Sequence, residues 1–165
     1  MNKTSYISLI DIAKSGTFGP IALGQNISDI GFEILGPPRY WGFAQGPYFL
    51  SYMGFGDVEI SFESKNDAVV VRYAELRVRR VRGGIARFTR SSDGNKLQIS
   101  GLSRREVTYE SMKALMEQHS VNYSTIFDKK LTIDTSEVMD FQNGVQFYFG
   151  LGADKALELV AMSEP

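Results

Sequence analysis

The sequence predicts an α+β fold: short helices packed on one face of a twisted antiparallel sheet, with a tandem duplication of a helix-plus-meander unit as its fuller form. Three observations lead there. From Tyr40 to Leu76 the chain is rich in aromatic and β-branched residues and punctuated by glycine, which reads as successive antiparallel strands. The segments with helical periodicity are brief and sharply ended, so they must lie against something larger. With 165 residues, 43% of them hydrophobic and 12% aromatic, the chain can bury the core of one compact domain.

Taken in order, Tyr6, Ile7, Leu9, Ile10 and Ala13 fit an opening helix from Thr4 or Ser5 to Gly16, with a strand as the alternative for so β-branched a run. Asn26 can cap a second helix and Asp29 can sit in its first turn, where the dipole favours an anion. Ile27, Ile30 and Ile34 give it a narrow apolar stripe, while Gly36, Pro37 and Pro38 stop it after about two turns. In "DVEISFE", Val58, Ile60 and Phe62 point one way and Asp57, Glu59, Ser61 and Glu63 the other, the pattern of a half-buried strand. "SKND" is a polar turn and Val69 to Leu76 the returning strand; "SSDGN" turns a further hairpin between "IARFTR" and "KLQIS".

Ser103 and Glu106 form a capping-box pattern for a helix to about His119, with Thr108, Met112, Leu115, Met116 and His119 on one face. Strands near 123–127, 130–134, 144–150 and 155–162 complete the chain. Residues 1–90 and 91–165 then make two α+β halves of one domain. Val58, Ile60, Phe62 and Asp67 align without a gap on Val145, Phe147, Phe149 and Asp154, an echo expected of a duplicated unit, although two amphipathic hairpins can look alike by chance.

Composition removes several functions. The chain has no cysteine, hence no disulfide, thiolate zinc site or cysteine nucleophile. No stretch approaches eighteen apolar residues and the amino terminus reads as lacking a secretion signal, so a cytoplasmic protein with no membrane partner is expected. His119 is the single histidine and belongs to no catalytic signature, which favours a capping or partly buried role over catalysis. No phosphate-cradling glycine motif occurs, and neither a cofactor nor a metal is expected.

Three surface features remain. Asp57, Glu59 and Glu63 could form a solvated strand face or an acidic docking surface. Residues 72–90 carry seven Arg against one Glu, a stripe that includes Arg77, Arg79, Arg80 and Arg82. Arginines there could bind phosphate, but alternation with Val78 and Val81 also fits a charged edge strand, or pairing with acids. Seven aromatics between Tyr40 and Phe55 cannot all face inward if the segment is extended.

"FGPIALGQNISDIGFEILGPP" followed by "YMGFGDVEISF" resembles the "LG-x-P … GD-[VL]-E-x-x-F" pattern of bacterial immunity-like proteins found beside polymorphic or contact-dependent toxins. The same stretch, roughly residues 18–76, is similar to the helix-helix-sheet unit of OmlA-type lipoproteins and β-lactamase inhibitor proteins, although a lipobox cysteine is absent. The resemblance implies a non-enzymatic protein that neutralises a cognate toxin, such as a nuclease, by covering its active site. Trp41, Tyr48, Tyr52, Asp57, Glu59 and Glu63 are then the expected partner contacts, with Arg77, Arg79, Arg80 and Arg82 as a basic alternative. A nucleic-acid-binding module built on the 72–90 arginines is the competing expectation.

Overall fold

A computed structural model describes residues 4–44, 50–78, 81–89, 96–103, 106–126 and 135–163. In chain order the elements are β1 (Thr4–Ile7), α1 (Leu9–Ser15), β2 (Thr17–Phe18), β3 (Ile21–Ala22), a 3-10 turn (Ile27–Asp29), α2 (Phe32–Leu35), β4 (Tyr40–Ala44) and β5 (Leu50–Phe55). They continue with β6 (Val58–Lys65), β7 (Ala68–Arg77), β8 (Ala86–Arg87), β9 (Lys96–Ile99), α3 (Tyr109–Gln118), β10 (Ser124–Ile126), β11 (Thr135–Asp140), β12 (Val145–Gly150) and β13 (Leu157–Ser163). The class is α+β and mostly antiparallel sheet.

Among the described residues the main sheet has eight strands in the order β10-β11-β12-β13-β7-β6-β5-β4. Two meanders, β4 to β7 and β10 to β13, therefore meet where β13 runs antiparallel to β7, with Val160 opposite Leu76 and Ala161 opposite Glu75. Alternation decides which side is core. Val58, Ile60 and Phe62 on β6, Ala74 and Leu76 on β7, Val145, Phe147 and Phe149 on β12 and Val160 and Met162 on β13 are buried in one cluster. We call that the inner face and the opposite one the outer face. Leu9, Ile10, Ile12 and Ala13 of α1 and Met112 and Met116 of α3 belong to the same cluster. A register shift at Ser61/Phe62 lets Arg72 and Tyr73 follow one another without disturbing the buried residues on either side of them.

The opening segment divides in two. Thr4–Ile7 is a strand, paired in parallel with β9, and the helix starts only at Leu9. Ser8 caps it: its hydroxyl accepts from the Asp11 amide (3.1 Å) while the Asp11 carboxylate accepts from the Ser8 amide (2.9 Å). The Ser8 amide, and after it the Ser8 hydroxyl donating to the same carboxylate oxygen (2.7 Å), hold the Asp11 carboxyl below its ordinary value. The β-branched run before Ser8 thus follows its strand propensity once a partner strand is available.

Further on, the expected two-turn helix is a 3-10 turn capped by Asn26, whose side chain accepts from the Ser28 amide (3.0 Å), followed by the single turn α2. Gly36 does take the left-handed conformation, with φ +73°. The third helix begins later than the Ser103–Glu106 pattern predicts. Thr108 is its cap, its hydroxyl accepting from the Ser111 amide. Tertiary pairing explains the shift, because Leu157 N–H donates to Val107 O and Thr108 bridges Ala156, which keeps 107–108 extended.

The strand near 130–134 falls outside the described residues, whereas Thr135–Asp140 is a strand. The hairpin β8–β9 does not join the main sheet; with β1 it makes a separate three-stranded sheet. The returning strand β7 is central, flanked by β6 and β13, while Arg79 and Arg80 of the segment that fits a charged edge lie outside the described residues. Strand β7 has an inner face in the core and an outer face carrying paired polar groups.

Candidate functional site

The outer face of the β4–β7 meander gathers the polar residues into cross-strand rows. One row, read across the strands, is Tyr40, Gly54, Glu59, Glu75, Ala161. The next is Gly42, Tyr52, Ser61, Tyr73, Ser163. Each tyrosine of the first two strands lies flat over the glycine beside it: a Cβ built on Gly54 would overlap the Tyr40 ring, and one on Gly42 the Tyr52 ring. The two rings meet edge to face with centroids 6.4 Å apart. Glycine here is a requirement of close approach, and it pins both phenols to the sheet.

Glu59 and Glu75 stand directly opposite each other in register, a like-charge pair that costs stability unless each carboxylate is held. Tyr40 Oη donates to Glu59 Oε2 at 2.9 Å. Tyr73 Oη donates to Glu75 Oε2 at 3.0 Å, and Arg77 Nε pairs with Glu75 Oε1. Burial, then the bond to Glu59, pushes the Tyr40 phenol up to about 12. Burial first and Glu75 second push Tyr73 up as well, while the bond to Glu75 raises Arg77. Glu75 is a buried charged residue, 9% exposed. Farther along, Arg72 Nη1 binds Glu63 Oε2 at 2.9 Å.

Between these groups is a depression of about 190 Å³ lined by Tyr40, Gly56, Asp57, Glu59, Glu75 and Arg77. Asp57 is not on the strand with Glu59 and Glu63, as the alternation predicts, but in the turn before it. Its amide donates to Arg87 O (2.9 Å) and its carboxylate accepts from the Arg87 amide (2.8 Å), which ties the turn to β8. The depression is thus walled by three carboxylates and one guanidinium.

Of the expected contacts, Tyr52, Asp57, Glu59 and Glu63 come together on or beside this face. Trp41 does not: its register with Met53 and Ile60 puts it on the inner side of the sheet, at the edge, 67% exposed and packed edge to face on Phe43. Tyr48, Arg79 and Arg80 lie outside the described residues. Arg77 and Arg72 are engaged by acids of the same chain and Arg82 is exposed, so the arginines that can be followed do not form one stripe.

Glu75, Tyr73 and Tyr40 are site residues that the sequence reading passed over, although "RYAELRV" alternates tyrosine, glutamate and arginine with alanine, leucine and valine. On the other meander the outer face carries Val138, Tyr148, Leu159 and Ala161 in a second buried cluster against which Tyr73 packs, with Asp140 and Gln146 in the same row as Ala161. His119 occupies the C-cap of α3 and is exposed, not partly buried.

Among the described residues there is no group of three or more His, Asp or Glu side chains arranged to hold a metal, and no helix is long and apolar enough to cross a membrane. No family model, curated protein or solved structure matches the chain.

Proposed function

We propose that the protein is an immunity-type binding protein, which neutralises a cognate toxin by laying the outer face of its first meander over the toxin's active site. The observation that carries this reading is the in-register pair Glu59 and Glu75, each carboxylate fixed by a tyrosine and, for Glu75, by Arg77. Folding gains nothing from opposing two acids across adjacent strands. A partner does: rigid, pre-paid side-chain positions lower the entropy cost of binding, and an acidic surface steers a basic one. A toxin that holds phosphate, as a nuclease does, presents such a surface. Tyr40, Tyr52 and Tyr73 supply large amphipathic area around the acids.

The family resemblance set out from the sequence supports the same reading. The sheet order supports the duplication, because the aligned segments 58–67 and 145–154 are the third strand and following turn of each meander. A duplicated helix-plus-meander unit with its helices on one sheet face accounts for that order. The nucleic-acid reading is weaker, since Arg72 and Arg77 are already paired within the chain.

The test is co-expression with the product of the adjacent gene in a cell that the product kills. Protection, and its loss in a Glu59→Lys/Glu63→Lys variant that still folds, supports the proposal. Killing that is unaffected by the wild-type chain, with no complex on co-purification, overturns it.

A further inference from the structure

The edge strand β4 breaks a rule that sheet edges usually obey. Tyr40 to Ala44 contain no lysine, proline or acidic residue, and among the described residues β4 is the last strand of the eight. Beside that edge Trp41 is 67% exposed and Phe43 is 53% exposed, stacked edge to face with centroids 5.3 Å apart. Both project from the inner side of the sheet, away from the tyrosine and acid rows of the outer face.

We infer that β4 is a self-association edge, pairing antiparallel with β4 of a second copy so that the eight-stranded sheet continues across a two-fold axis at Gly42. The sequence around that residue is self-complementary. With Gly42 opposite Gly42 of the partner copy, Trp41 falls opposite Phe43 and Phe43 opposite Trp41, so both sides of the axis carry the same aromatic cross-strand pair. A hetero-partner would need to bring its own aromatic complement; a second copy already has it.

Area and charge agree with that occupant. The exposed parts of Trp41 and Phe43 amount to roughly 250 Å² per copy, so two copies would bury on the order of 500 Å² from these rings alone. That is close to half of the roughly 1,200 Å² that the smallest stable interfaces bury, before counting the strand backbones and Tyr40. A net charge of −1 puts little repulsion between copies.

Sedimentation equilibrium at roughly 100 μM, where a contact of micromolar affinity is nearly saturated, should give twice the 18.4 kDa chain mass. Phe43→Lys should return it to the single-chain mass with unchanged circular dichroism, because the side chain replaced is exposed. The absence of native cysteine allows a register test: Trp41→Cys mixed with Phe43→Cys should cross-link on oxidation, while either alone should not. A wild-type chain of single mass at that concentration overturns the inference. So does a dimer that survives Phe43→Lys, or one whose mixed cysteine variants fail to cross-link.

Discussion

Replacing Glu75 by alanine removes the acceptor shared by Tyr73 and Arg77 at the middle of the sheet. Tyr73 is largely buried, so its hydroxyl loses its partner in a place where water reaches poorly, a cost of about 1–3 kcal/mol. The Arg77 side chain is 39% exposed and can turn to solvent, so its lost ion pair adds no more than about 1 kcal/mol after screening. Relief of the Glu59–Glu75 opposition returns a few tenths of a kcal/mol up to about 1. The net loss is about 2 kcal/mol, or about 4–8 °C in Tm for a domain of this size. Urea unfolding followed by far-ultraviolet circular dichroism measures it. Glu75→Gln, which keeps an acceptor for Tyr73, should lose about half as much. Adding Glu75→Ala to Tyr73→Phe should cost less than the sum of the two, since they remove the same bond. Strict additivity, or a Glu75→Ala chain within about 0.5 kcal/mol of wild type, would refute the view that this network is structurally fixed.

Three other perturbations test separate parts of the molecule. Tyr40 should ionise at about 12 in an absorbance titration at the phenolate band. Because its folded value lies above its ordinary value of 10.0, its contribution to stability is complete below pH 10 and fades as pH rises through 12; Glu59→Gln should bring the ionisation lower. Gly54→Ala should destabilise the chain by about 1–3 kcal/mol in thermal unfolding, and Gly54→Ala combined with Tyr40→Ala by less, because the ring that the methyl meets is then gone. Ser8→Ala should cost about 1 kcal/mol in the same assay, by removing the hydroxyl that caps α1.

How far the sequence reveals this structure depends on which forces are local. The alternation of Val58, Ile60 and Phe62 with Glu59, Ser61 and Glu63 is a property of a few neighbouring residues, and both the strand and its buried side follow from it. The Asn66–Asp67 turn is equally local; both residues take positive φ, as a tight hairpin demands. What is hidden is set by distant segments. Thr4–Ile7 becomes a strand because residues 96–99 lie beside it, and α3 starts at Tyr109 because Ala156 and Leu157 hold residues 107 and 108 extended. Nothing within residues 68–77 says that β13 will occupy their far side.

The site divides along the same line. The acids Asp57, Glu59 and Glu63 are visible as a cluster in the sequence, and the structure keeps them on or beside one face. Their association with Glu75, Tyr73 and Arg77 depends on a register, including a shift at Ser61/Phe62, that only the paired strands define. Trp41 and Tyr52 look equivalent in an aromatic run, yet their register places them on opposite faces of the sheet.

The most direct measurement is the affinity of the folded protein for the product of the adjacent gene, wild type against Glu59→Lys/Glu63→Lys, at low and high salt. The account predicts a loss of at least about 100-fold in the variant, and a wild-type association rate that falls steeply as salt screens the acidic face. Equal affinities for the two proteins, or a wild-type chain that does not bind at either salt concentration, would contradict it.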